Sequence, residues 1–147
     1  MIDRKSAFGR RKQPRRGTHI VELALILPVF LMFIFAMLDF ALIMWAYGTV
    51  SEASRAGARY AIVHGSMAAS PVGPTANDST VQTKVQDNAL ALNTANLTVT
   101  SSWPDGDNIP SHHVTVTATY NCHPILGSLF GVSNCTVAGT TTMMITH

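Results

Sequence analysis

Between Leu23 and Tyr47 the chain runs LALILPVFLMFIFAMLDFALIMWAY, 25 residues in which Asp39 is the only charge. Fourteen of them are Leu, Ile, Val or Phe. At roughly −0.3 to −0.6 kcal/mol each, these favour insertion into a bilayer by about 4 to 8 kcal/mol. One Asp near the middle of a span costs about 2.5 to 3.5 kcal/mol, so insertion wins. A run of this length and content predicts a membrane-crossing helix over about 23–47.

Charge is divided sharply around that run. Residues 1–17 carry seven Lys or Arg against Asp3, a net +6, while residues 18–147 hold three basic residues against seven acids, a net −4. A basic stretch before the span and only Arg55 and Arg59 soon after it put the N-terminus in the cytoplasm and the C-terminal hundred residues in the periplasm or outside. Trp45 and Tyr47 then fall at the far headgroup level, where amphipathic rings collect. Arginine runs also suit nucleic acid, but this one abuts an apolar helix and, Phe8 apart, lacks interleaved aromatics. No nucleic-acid partner is expected.

The register of the acids adds a constraint. The uncharged residues 23–38 span only about 24 Å at 1.5 Å each, against a hydrocarbon layer roughly 30 Å thick. Glu22 and Asp39 therefore cannot both sit comfortably in water. Asp39 is either a functional acid inside the span or a snorkelled interfacial residue. Pro28 removes one N–H from the helix, which predicts a local bend or loosening that neighbouring groups must offset.

Ahead of the span, Arg15-Arg16-Gly17-Thr18-His19-Ile20-Val21-Glu22 ends a basic leader on glycine and places a glutamate five residues later. This resembles the site at which prepilin peptidase trims type IV pilins and pseudopilins, cutting after the glycine. With Leu27-Pro28, Asp39-Phe40 and Ala58-Arg59-Tyr60-Ala61, residues 15–65 resemble the TadE-like pseudopilins of tight-adherence (Flp) pilus systems. The Val-Thr-rich strand, Pro-Leu loop and final Thr-rich strand fit more loosely. Leu23, where major Flp pilins often have Tyr, and the length of the chain both favour a minor subunit. The resemblance implies cleavage between Gly17 and Thr18. It also implies partners in the peptidase, an assembly ATPase acting through an inner-membrane platform, and other pilin-like subunits. A new amine at Thr18 would lie about 6 Å of axial rise from Glu22, and pairing two charges lowers the cost of taking both out of water. Glu22 is therefore expected to neutralise such an amine on a neighbouring subunit, the alternative being an interfacial acid with no partner.

Beyond the span the helix is expected to continue through Ala61, with Glu52 and Arg55 paired at i+3. Its small face of Ala53, Ala56 and Gly57, with Tyr60, is expected to pack on the following domain rather than on another subunit. Residues 65–74 read as a loop, and Asp78 or Ser79 as the cap of a helix over about 79–93 with Val81, Val85 and Leu92 in its apolar stripe. Alternating Val and Thr over 97–100, 114–120 and 136–146 predicts antiparallel strands with one buried face. The expected fold is α+β: a long N-terminal helix packed on a small sheet with a second, shorter helix. Its parts are a leader at 1–17, the long helix at 18–64 and an extracytoplasmic domain at 65–147.

An extracytoplasmic location predicts a disulfide between Cys122 and Cys135, with two free thiols as the alternative. Between them Ile125, Leu126, Leu129 and Phe130 form a docking surface or, more in keeping with their apolarity, a folded-in plug. No nucleophile motif, phosphate loop or close metal-ligand pairing is present, and the adjacent His112 and His113 would point to opposite faces of a strand. Asp105, Asp107 and Asn108 read as a solvated turn, lacking the downstream glutamate of a calcium loop. The chain is thus expected to be no enzyme and to hold no cofactor or metal. It reads as a minor pilin-like subunit serving adhesion or secretion, against two rivals: an uncleaved, membrane-anchored periplasmic binding or sensor domain, and a secreted enzyme released after Ala58.

Overall fold

In the computed structural model, residues 16–129, 131 and 134–146 are described, so most of the basic leader and Phe130 lie outside them. Helix α1 covers Arg16–Val63 and α2 covers Ser79–Asn88. A 3-10 turn at Thr94–Asn96 leads into β1 (Leu97–Ser102), followed by β2 (His113–Cys122), α3 (Ile125–Leu129) and β3 (Cys135–Met144). The architecture is α+β. Two compact units divide within α1, between Ile34 and Phe35.

In the first unit α1 has no face in any ordinary sense. Every large apolar side chain from Ile20 to Ile34 is exposed, and the helix passes through Pro28 without interruption. From Leu23 to Ile34 the circumference is apolar all round, the mark of a helix whose surroundings are lipid or protein rather than water. Among the described residues, the helix from His19 to Val63 is the one long and apolar enough to cross a membrane.

The second unit is a three-stranded antiparallel meander, ordered β1-β2-β3, with α1 and α2 against one face. The period of two in the sequence sets this up. Leu97, Val99 and Ser101 of β1, Val114, Val116 and Ala118 of β2, and Val137 of β3 point inward. Threonines fill the opposite face, and the cross-strand hydroxyls of Thr115 and Thr142 (2.9 Å) and of Thr117 and Thr140 (3.0 Å) meet there.

α1 approaches the sheet closely because its inward residues are small. Ala53, Ser54, Ala58 and Ala61 are buried, and Ser54 Oγ lies 2.9 Å from Thr141 Oγ1 on β3. At Gly57 three elements converge: a Cβ there would stand 2.4 Å from Val85 Cγ2 on α2 and 3.4 Å from Val116 Cγ1 on β2. The small face thus packs within the chain. The exposed Glu52–Arg55 pair, 3.5 Å apart, lies outward.

α2 starts at Asp78, whose carboxylate accepts hydrogen bonds from the N–H groups of Thr80 and Val81, and of Gly73 across the loop. Burial pushes this carboxyl's pKa up, but the three N–H groups outweigh it and hold it below its ordinary value. The helix ends at Asn88, a turn earlier than the stripe predicted. The Ala89 N–H turns back to Gln86 O, and Ala91 adopts a φ of 61°, so the chain reverses and Leu92 reaches the core from a turn. At the far end of α1, the N–H and hydroxyl of Thr146 both donate to Ile62 O at 3.1 Å, satisfying a helix-terminal carbonyl.

At Gly139, β3 faces the backbone of α1. A Cβ at Gly139 would lie 2.8 Å from Ser51 Cα and 3.0 Å from Ser51 N, neither of which is a flexible tip. Gly139→Ala is therefore expected to destabilise the domain by about 1–3 kcal/mol, the usual range for overpacking a tight contact. The check is the denaturation midpoint of the full chain in detergent; an unchanged midpoint would mean that helix and strand have slack.

Candidate functional site

The candidate residues fall in two groups. Gly17, Thr18, Glu22 and Pro28 belong to the first unit, with Asp39, Cys122 and Cys135 in the second. Gly17 and Thr18 are within α1, though their side chains lie outside the described residues. Glu22 has His19 one turn before it, Oε2 to Nδ1 3.8 Å, with both side chains well exposed. His19 gives the acid a nearby group able to carry a positive charge when protonated.

Asp39 is the surprise. It is 7% exposed, which sets it apart from the apolar residues around it. The Ile125 N–H donates to Oδ1 at 3.0 Å and the Leu126 N–H to Oδ2 at 2.7 Å. These are the first two amides of α3, which a helix of five residues has no internal means to satisfy. An acid in the long helix thus caps a short helix 86 residues further along the chain. The charge also suits the positive end of α3. Asp39 is buried, and its hydrogen-bond partner is the chain itself.

Around it lies a cavity of about 190 Å3, lined among others by Leu42, Ile43, Ala46, Tyr120 and Cys122. That is smaller than the roughly 300 Å3 at which small-molecule sites usually begin. Cys122 and Cys135 stand directly opposite in the β2–β3 register, both as thiols. Burial, and then the neighbouring Cys135, push the Cys122 thiol pKa up, so it is a poor nucleophile. Of the apolar loop residues, Ile125 is exposed and Leu126 half-buried. Ile125 therefore does not fold in as the expected plug would have it, and the Leu129 side chain and Phe130 lie outside the described residues.

The histidines and acids of the 105–113 turn pair with each other. His112 Nδ1 meets Asp107 Oδ1, and Asp105 Oδ2 faces His113 Nδ1 at 3.0 Å while accepting the His113 N–H at 2.7 Å. That N–H, ahead of the ring, holds the Asp105 carboxyl below its ordinary pKa. Among the described residues no cluster of three or more His, Cys, Asp or Glu is placed to hold a metal ion.

The family model described as TadE-like protein matches residues 17–59. Residues 17–59 are similar to that family. No curated protein and no solved structure matches the chain. The TadE-like segment opens at Gly17, contains Glu22, Pro28 and Asp39, and ends at Arg59, where α1 is packed on the sheet.

Sequence reading singled out Asp39 but missed its partners, since backbone N–H groups carry no side-chain signature. The one available signal was Pro124 directly before Ile125, a residue suited to a helix start. Asp39→Ala removes both of these hydrogen bonds and is expected to cost about 0.5–2 kcal/mol, as loss of a helix cap does. Amide exchange should quicken at Ile125 and Leu126 while the β2–β3 ladder stays protected; unchanged exchange at both would rule out the cap.

Proposed function

We propose that the chain is a minor pilin-like subunit of a tight-adherence pilus or related secretion filament. In this reading it is held in the inner membrane by α1 and trimmed after Gly17 by a prepilin peptidase. The observation that carries the proposal is the TadE-like match beginning at Gly17, with Glu22 five residues on and the apolar run behind it. Residues 1–17 stay in the cytoplasm and the sheet domain lies on the periplasmic or outer side, as the charge asymmetry favours. The subunit acts by assembly rather than by catalysis. Its partners are the peptidase, the ATPase-driven platform in the membrane and other pilin-like subunits, and it needs no cofactor or metal. Glu22 lowers the cost of moving a Thr18 amine out of water as the helix leaves lipid for a filament.

N-terminal sequencing of the protein from native membranes checks this. Thr18 is the expected first residue. Met1 would favour an anchored binding or sensor domain, for which the small cavity beside Asp39 is the only structural support among the described residues. Arg59 would indicate release after Ala58. Glu22→Gln is expected to insert normally and to enter filaments poorly; normal incorporation would exclude the charge role.

On the outer side, Cys122 and Cys135 are proposed to form a disulfide. Directly facing residues of an antiparallel pair have Cα atoms about 4.5–5.5 Å apart, within the roughly 4.4–6.8 Å that a disulfide spans. The two thiols give up two electrons and two protons to the disulfide of an extracytoplasmic thiol oxidoreductase. The chain-entropy estimate for a loop of this size is about 3 kcal/mol. Protein from membranes is expected to gain two alkyl groups only after reduction; alkylation without reductant would show free thiols.

A further inference from the structure

The short helix α3 carries an exposed apolar side chain at the level of Asp39. Ile125 is 63% exposed, and its backbone is fixed against α1 by the Asp39 carboxylate. At the same level of α1, within the same unit, Phe35, Met37, Leu38 and Phe40 are exposed too. Apolar side chains are therefore exposed both on α1 and on the first residue of α3, on either side of one hydrogen-bonded acid.

Length identifies what covers them. The uncharged run from Leu23 to Leu38 supplies about 24 Å of helix, roughly 6 Å short of the hydrocarbon thickness. That deficit is about one helical turn, and the next turn is the one holding Asp39, Phe40 and Leu42. The outward face of α1 turns charged only later, at the exposed Glu52, Arg55 and Arg59. A bare carboxylate would resist burial at that depth. Here both its oxygens accept backbone N–H groups, and the same bonds satisfy the α3 amides that lipid leaves without a partner.

We infer that α3 is an interfacial anchor: it lies in the surface of the leaflet from which α1 emerges, with Ile125 among the acyl chains and lipid as the occupant of this face. Interfacial helices bury their apolar side about 5–10 Å into the headgroup and acyl boundary, which matches the missing turn. The inference rests on the membrane-anchored reading proposed above, and the domain then has two contacts with the bilayer, one covalently continuous with the span and one through the β2–β3 connection.

The test uses the full chain in vesicles of phosphatidylcholine with or without dibrominated acyl chains, on a Trp45→Phe background. Trp103, buried in the domain, supplies a constant emission. To this background either Ile125→Trp or, within the span, Phe33→Trp is added. Both variants are expected to lose most of the added fluorescence in brominated vesicles. Quenching of the Phe33→Trp variant alone would overturn the interfacial anchor and leave the membrane span standing, the result expected if a second copy of the chain covers α3. Quenching of neither would overturn the membrane reading and the anchor together.

Discussion

A single helix of 48 residues serves two different surroundings. From Leu23 to Leu38 it is apolar around the whole circumference, the pattern of a helix not surrounded by water. Further along, it narrows to a strip of Ala, Ser and Gly that a sheet can approach until side-chain tips and backbone touch. Small residues on that strip do what an apolar stripe of Leu does elsewhere. They trade buried area per residue for close contact, and dispersion falls off steeply with any gap. Val85 of α2, Val116 of β2 and Gly139 and Thr141 of β3 all lie against that strip.

Between the two regimes stands Asp39. A lone carboxylate in an apolar helix has a large desolvation cost unless its oxygens are bonded. The first two amides of α3 lie where the helix itself supplies no acceptor. Each partners the other, so the acid is better understood as a joint between the long helix and the β2–β3 connection than as a blemish in the span.

The sheet was legible because one buried face imposes a strict period of two: the Val-Thr alternation located all three strands within a few residues. The small face of α1 was legible for the same reason, since only close packing makes use of so many residues without bulk. Three features were not legible. The end of α2 depended on backbone reversal at Ala89–Ala91, where none of the residues is a strong helix breaker. The tight contact at Gly139 involves Ser51, 88 positions away, and a strand glycine reads equally as a weak point or as a close approach. Asp39 was recognised as unusual, but donors that belong to the backbone are anonymous in a sequence. The Gly17–Glu22 spacing, in contrast, carried meaning only through family resemblance; nothing in the packing of an exposed glutamate beside His19 would have singled it out.

The joint also explains why the cysteines stand where they do. β2 ends at Cys122, α3 begins three residues later, and β3 starts at Cys135. The register that sets the two thiols opposite each other fixes both ends of the connection, while Asp39 fixes its near side. A loop held only at its ends still swings about the line joining them; a third point off that line removes the swing. The register and the carboxylate both constrain the connection that carries α3. This division of labour follows from geometry, since one constraint lies in the sheet and the other in a helix packed against it, with no shared atoms between them.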